Sequence, residues 1–438
     1  MPSPWHIDVS ARFPRPDDIV TTLVIAPDFL SHYQPMAAIA DALRRSGERV
    51  IIATGNAMQP FVARDGFEWR RLDLAAGSND GVASAIAHDR GDPSSLERFI
   101  AATRQGFVAT LAFQAAKRSH ELLWNPIEVG RAIRTLLEDV EPEHVLVDQV
   151  SLVSTLGLLA SGRPFTTVVP GHPTQLPVGD EQYGSATTWP QALRPDADEL
   201  DALARQVERI NADVTDAFNG ALAQLAPSAA PVDHAFAAHG ELVAFHWESD
   251  LHDPVRRARL PEHVDLGPLV RQEELPDDYA AVVAGDRPLV VVALGTFLVH
   301  RHDVLASAIR AVELAGARAV VAIGDHDPES LGPVPDDWVL ARRIPHVALL
   351  RHADCIISHG GNGSVQEALA AGVGQVLLPM STDQMAIAAD LERADRAVAA
   401  DPNRLDVDDL ADRLSAVIEH GAWSRTPSSV GELVSRRR

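Results

Sequence analysis

Residues 355–384 read CIISHGGNGSVQEALAAGVGQVLLPMSTDQ, and this stretch decides the fold. The apolar run at 355–357 has the character of a buried strand. It ends in His359 and a glycine turn, and the pattern predicts a helix opening at residues 362–364. Ser364 and Glu367 stand at the S-x-x-E spacing of a capping box, which marks where that helix begins. Glycines at 360, 361 and 363 let a ligand approach bare backbone. The first-turn N–H groups of a helix have no partner within it, so such a turn suits a phosphate or diphosphate. The same pattern also builds ordinary α/β turns, and a ligand does not follow from it alone.

Outward from this stretch, short apolar runs alternate with amphipathic segments, which argues for parallel, doubly wound α/β sheets. Before it, strands are expected at residues 19–26, 49–54, 67–72, 144–148, 164–169 and 242–247. Helices are expected at 35–45, 56–64, 150–160 and 196–225, and mostly helical structure with breaks between 81 and 139. Residues 251–288, rich in proline and charge, read as a linker. The pattern then restarts, with strands at 289–294, 319–323, 338–341, 376–379 and 397–399 and helices at 302–315 and 348–352. The division is thus an N-terminal domain (1–250), a linker (251–288), a C-terminal domain (289–420) and a tail (421–438) expected to pack back on the N-terminal domain.

Composition excludes several functions. A chain of 438 residues is long for one core and suggests two domains of roughly 200 residues each. A formal net charge of −23 repels a nucleic-acid backbone, so an anionic ligand must be held by local dipoles and a few arginines. No run approaches the ~20 apolar residues of a membrane span, and residues 1–18 lack the apolar core of a signal peptide. A soluble, cytoplasmic protein is expected. Cys355 is the only cysteine, which leaves no intrachain disulfide and no cysteine-rich zinc site. Lys117 is the only lysine and follows no glycine-rich loop, so there is no Walker A motif. Neither G-x-S-x-G nor H-E-x-x-H occurs. His300-Arg301-His302-Asp303 has two imidazoles but no evident third ligand, and metal binding is not expected there.

Two residues near strand ends have the chemistry of a general base. His32, in Ser31-His32-Tyr33-Gln34-Pro35, follows the first strand, and an imidazole there can take a proton from a hydroxyl. A histidine that only bonds loop backbone is the plainer alternative. Asp148 ends the run His144-Val145-Leu146-Val147-Asp148. Its carboxylate would either fix the His32 tautomer and stabilise the imidazolium or cap the helix that follows.

Taken together, His359-Gly360-Gly361, Gly363-Ser364, Glu367-Ala368-Leu369, Gly372, Pro379 and Asp383-Gln384 resemble the donor-binding signature of the family 1 glycosyltransferases. The similarity is greatest to the bacterial branch that decorates antibiotics and other natural products. It is strong in the C-terminal half and looser in the N-terminal half. The resemblance implies a GT-B fold, two Rossmann-like domains facing across a cleft. It also implies an inverting, metal-independent transfer from a dTDP- or UDP-sugar to a small natural-product acceptor, with the nucleotide sugar as co-substrate and no cofactor.

By the same resemblance, His32 is the general base and Asp148 its orienting carboxylate. Ser31 stands where relatives have Gly. Thr296, His359, Gly361, Gly363 and Ser364 hold the diphosphate, and Asp383 and Gln384 bind the donor sugar. Arg343, beside Ile344, takes the place of the aromatic residue that stacks on the base, a role a planar guanidinium can share. Ile387 and Gly374 depart from the Asn and Pro of relatives. Phe99, Phe107, Phe113, Trp124 and Trp189 are candidates for the acceptor pocket, and a monomer or homodimer is expected. The alternatives are a nucleotide-sugar epimerase of the same fold and a non-catalytic nucleotide-sugar-binding partner.

Overall fold

The computed structural model describes residues 19–75, 94–421 and 430–437. They form two parallel sheets. The N-terminal sheet holds β1 (Thr21–Ile25), β2 (Arg49–Thr54), β3 (Glu68–Arg71), β4 (His144–Asp148), β5 (Thr166–Val169), β6 (Leu242–Phe245) and β7 (His263–Asp265), in the order β3-β2-β1-β4-β5-β6-β7. The C-terminal sheet holds β8 (Leu289–Ala293), β9 (Arg318–Ala322), β10 (Val339–Ala341), β11 (Cys355–Ser358), β12 (Gly374–Leu377) and β13 (Ala397–Ala399), in the order β10-β9-β8-β11-β12-β13. Strands buried on both faces need unbroken apolar runs, and Leu289–Ala293 is such a run, buried throughout.

Strand order reverses once in each sheet, between β1 and β4 and between β8 and β11. Chains leaving neighbouring strands at such a point turn to opposite faces of the sheet and open a crevice at the carboxyl ends, where ligands bind. The segments that follow these four strands therefore line any site.

Two elements differ from expectation. Strand β7 lies inside the segment read as linker. It pairs with β6 through Val243↔His263, Ala244↔Val264 and Phe245↔Asp265. Only Val264 of its three residues is buried, so no alternation was visible. The helix after β1 spans Leu30–Arg45 and not 35–45, with Pro35 inside it. Proline there removes the N–H that would bond the Ser31 carbonyl, but Ser31 and His32 still bend into the first turn, with the His32 N–H donating to the Phe29 carbonyl at 3.0 Å. His32 thus stands on a helix and not on a loop. The helix expected at 196–225 is a single unbroken one, Ala197–Leu225, started by Asp196, whose carboxylate accepts from the N–H groups of Asp198 and Glu199.

The C-terminal tail returns to the N-terminal domain, and the two domains pack on each other. Helix Gly431–Arg436 in the tail buries Leu433 completely in the N-terminal core. At the domain junction, Val169, Phe245 and Trp247 share one buried cluster with Val365, Leu369, Ile387 and Leu391. Burying each such aliphatic side chain stabilises by about 1.5–3 kcal/mol, enough to hold the domains in contact. No helix among the described residues is long and apolar enough to cross a membrane.

Candidate active site

A cleft of about 850 Å³ opens between the domains at the carboxyl ends of the two sheets, lined from both sides. On the N-terminal side, His32 Nδ1 lies 2.9 Å from Asp148 Oδ2. Asp148 is fully buried and its Oδ1 accepts from the Val150 N–H at 3.0 Å, so it both orients the imidazole and caps the turn after β4. The helix that follows begins at Leu152 with Ser151 as its N-cap, so Asp148 does not cap it and the helix-capping alternative is not met. With Nδ1–H donated to Asp148, Nε2 is the basic nitrogen, and the His32 side chain is 24% exposed. Burial lowers the His32 pKa, but the charge and hydrogen bond of Asp148, with a smaller contribution from Asp383, outweigh it and hold the pKa above 6.5.

Across the cleft, Gly295 and Thr296 follow β8, and His359 follows β11. The His359 ring fits because two neighbours lack side chains. A Cβ at Gly295 would stand 2.7 Å from its Cε1, and one at Gly361 would stand 2.3 Å from its Nε2. Gly295 also has φ +73°, a conformation L side chains rarely adopt. Burial pushes His359 down to about 4, although the Ala293 carbonyl and Asp383 act the other way. It is a neutral imidazole at pH 7 and can offer a diphosphate a hydrogen bond but no charge. Positive potential comes instead from helix Asn362–Ala371, whose N-cap Gly361 provides no side-chain cap to the first-turn N–H groups. Gly361→Ala forces the ring or the helix start to move. Overpacking of this kind costs about 1–3 kcal/mol, and calorimetry should show nucleoside-diphosphate affinity falling roughly ten- to a hundredfold.

The capping box expected at Ser364 and Glu367 does not form. The helix already begins at Asn362, so Ser364 lies inside its first turn, and Glu367 turns away to the Arg271 guanidinium and to His346 Nδ1. Burial raises its pKa, but His346 and Arg271 bring it below the ordinary carboxylate value. Glu273 completes the group by accepting from the Val347 and Ala348 N–H groups at 2.8 and 3.2 Å. Arg271, Glu273, His346 and Glu367 all line the cleft. Sequence reasoning did not single them out as a set. Arg271 and Glu273 lay in the supposed linker, and only the fold brings them to the helix at 362–371.

Arg343 and Ile344 also line the cleft, beside Arg342, which pairs with Asp325 at 2.5 Å. Asp383 and Gln384 reach it too, but both are engaged. Gln384 Oε1 accepts from the Met380 and Ser381 N–H groups at 2.8 and 3.0 Å, and its Nε2 donates to Ser381 Oγ at 2.9 Å. The amide therefore holds the loop before its helix and keeps one N–H for a ligand. Ile387 is fully buried in the cluster between the domains and does not face the cleft.

Of the five aromatic residues expected around the acceptor, only Phe99 lines the cleft. Phe113 lies behind it, ring centroids 6.3 Å apart. Phe107 and Trp189 pack on each other at 5.1 Å in a cluster with Met385. Trp124 packs against the N-terminal core. Their helical spacing reflected packing, because aromatic rings serve a core as readily as a pocket. In the 300–303 segment, Arg301 is almost wholly buried, ion-paired to Asp303 at 2.7 Å and bonded to Asn403 at 2.9 Å. Among the described residues no group of three or more His, Cys, Asp or Glu side chains is arranged to hold a metal.

In fold, the chain is similar to the glycosyltransferase VinC in complex with dTDP, with a TM-score of 0.60 and 18% identity over 91% of each chain. Two parallel-sheet domains facing across a cleft are the GT-B architecture. Residues 306–435 match the family described as Erythromycin biosynthesis protein CIII-like, C-terminal domain. The chain is 31% identical over 162 residues to 4'-demethylrebeccamycin synthase of Lentzea aerocolonigenes, which covers 36% of this chain and 38% of that one. It is 30% identical over 152 residues to the NDP-glycosyltransferase YjiC of Bacillus subtilis, covering 34% of this chain and 36% of the relative. These matches span little more than a third of either relative's length. The family match is confined to residues 306–435, and over the whole described length the similarity is one of fold, to GT-B glycosyltransferases.

Proposed function

We propose that this protein moves a sugar from a dTDP- or UDP-sugar to a hydroxyl of a small natural-product acceptor, with inversion and without a metal ion. One observation carries the reading: the His32–Asp148 pair and the glycine-walled helix start at 361–364 line the same cleft from opposite domains. His32 Nε2 takes the acceptor hydroxyl's proton, and Asp148 stabilises the imidazolium. The acceptor oxygen bonds to the anomeric carbon as the bond to the diphosphate breaks. The departing electron pair goes to the diphosphate oxygen, whose growing charge the uncapped N–H groups of the 362–371 helix stabilise. A single displacement inverts the anomeric centre. Arg343 lies against the base, and Asp383 and Gln384 face the donor sugar.

The test begins with thermal stabilisation by dTDP, UDP, GDP and ADP at matched concentration. A ligand at a hundred times its dissociation constant adds about 2.7 kcal/mol, a plain shift in melting temperature. VinC was solved with dTDP, which makes dTDP the first ligand to try. The matching sugar nucleotide is then incubated with an acceptor panel and the product's anomeric configuration read by NMR. Retained configuration would rule out the single displacement, and donor consumed without acceptor would favour an epimerase.

A further inference from the structure

The loop after β5 belongs to the N-terminal domain, yet it is stitched to the C-terminal domain at three points. The Pro170 carbonyl accepts from Asn362 Nδ2. The His172 backbone N–H donates to Asp383 Oδ2 at 2.8 Å, and Gln175 Nε2 donates to the same oxygen at 2.9 Å. The Thr174 N–H donates to His172 Nδ1 at 3.2 Å, so Nε2 carries the ring proton and donates to Asp390 Oδ2 at 2.9 Å. The Gln175 amide lies flat over Gly171, where a Cβ would stand 2.4 Å from the amide carbon and nitrogen. Its Oε1 is buried with no partner among the described residues. An orphaned amide oxygen is unfavourable, so the bond to Asp383 is what keeps this amide in place.

The consequence falls on Asp383. Two donors from the N-terminal domain occupy Oδ2, while among the described residues Oδ1 takes only the Thr382 hydroxyl, at 3.0 Å. One oxygen is thus committed to the domain junction, and the other keeps open lone pairs on a residue lining the cleft. We propose that Gln175 is a positioning residue for donor-sugar recognition: it fixes the Asp383 carboxylate so that Oδ1 alone faces the sugar. This rests on the glycosyltransferase reading of the cleft. Because Gln175 and Asp383 come from different domains, the sugar is gripped in this geometry only while the domains are together. The pair also restricts which hydroxyl arrangement of the sugar is accepted, since a carboxylate that cannot rotate accepts along fixed directions.

The test compares dissociation constants for dTDP and dTDP-glucose, with UDP and UDP-glucose in parallel, by calorimetry on the full chain. The variants are Gln175→Met, Gln175→Glu and Asp390→Asn. Gln175→Met removes the amide at nearly constant volume and should weaken the sugar nucleotide about tenfold, with the free diphosphate changed less than about twofold. Gln175→Glu sets a second carboxylate against Asp383 and should weaken it further. Asp390→Asn loosens the loop at its other anchor and should leave the ratio of the two constants unchanged. Equal losses for sugar nucleotide and diphosphate in Gln175→Met would overturn the proposal, as would no loss for either. A ratio shifted as much by Asp390→Asn would also overturn it, because the effect would then belong to the whole loop. Wild-type protein that binds neither dTDP nor UDP would instead overturn the glycosyltransferase reading itself.

Discussion

His32→Ala is expected to lower turnover by about 10²–10⁴-fold while nucleoside-diphosphate affinity stays within twofold of wild type. The split follows from geometry. His32 stands on the N-terminal side of the cleft, and the proposed diphosphate cradle at 361–364 lies in the C-terminal domain. Asp148→Asn keeps the shape and the cap on Val150 but removes the charge that supports the imidazolium, so it should lose much of the same factor. Undiminished turnover in His32→Ala would sink base catalysis by this residue.

The same pair gives a pH dependence with a definite sign. His32 works as a base only when neutral, and its pKa lies above 6.5. The rate should therefore fall as pH drops through that raised value, at higher pH than an isolated imidazole would show. Stability runs the other way. A raised pKa means the folded state prefers the proton, so the contribution of the pair is fully present below pH 6.5 and is lost as pH rises through the folded value. In Asp148→Asn the acid limb should move to lower pH, since the charge that raised the pKa is gone. An acid limb unmoved by that substitution would mean another group is titrating.

Glu48→Ala or Arg437→Ala should destabilise the N-terminal domain by about 3–5 kcal/mol. Arg437 Nη2 donates to Glu48 Oε1 at 2.9 Å, and the two side chains are only 4% and 7% exposed. Glu48 also accepts from the Thr22 hydroxyl, which ties the tail to the start of β1. Removing one partner leaves the other charge buried and unpaired, which is the expensive outcome. The double variant Glu48→Gln with Arg437→Met removes both charges and should be much less damaging. For a domain of this size each kcal/mol moves the melting temperature by about 2–4 °C, so scanning calorimetry can separate the cases. A double variant destabilised by the sum of the two single losses would show that the pair carries no coupling energy.

Much of the fold was legible because the informative patterns are local. Leu289–Ala293 and His144–Asp148 read as strands from their own apolar runs, and Ala197–Leu225 read as helix from its periodicity. Strand β7 escaped because three residues with one buried side chain carry no period. Glu367 shows the limit most plainly. Its spacing from Ser364 matched a local cap, but Arg271 and His346 reach it through the tertiary fold and bind it more strongly. The aromatic residues failed for a similar reason. Phe107 and Phe99 have the same local signature, and only the packing of the helices decides that Phe99 faces the cleft.

The sequence by itself determined the two-sheet class, the strand ends that bear His32, Asp148, Thr296 and His359, and the glycines beside the helix at 362–371. These depend on backbone periodicity and on turn chemistry within a few residues of each position. Only the tertiary structure decided which oxygen of Asp148 meets His32, where Glu367 turns, that Asp383 is held by the loop after β5, and that Arg437 closes on Glu48. Each of these joins residues distant in the chain, and side-chain hydrogen bonds and ion pairs of that kind form between whichever partners folding brings within about 3 Å.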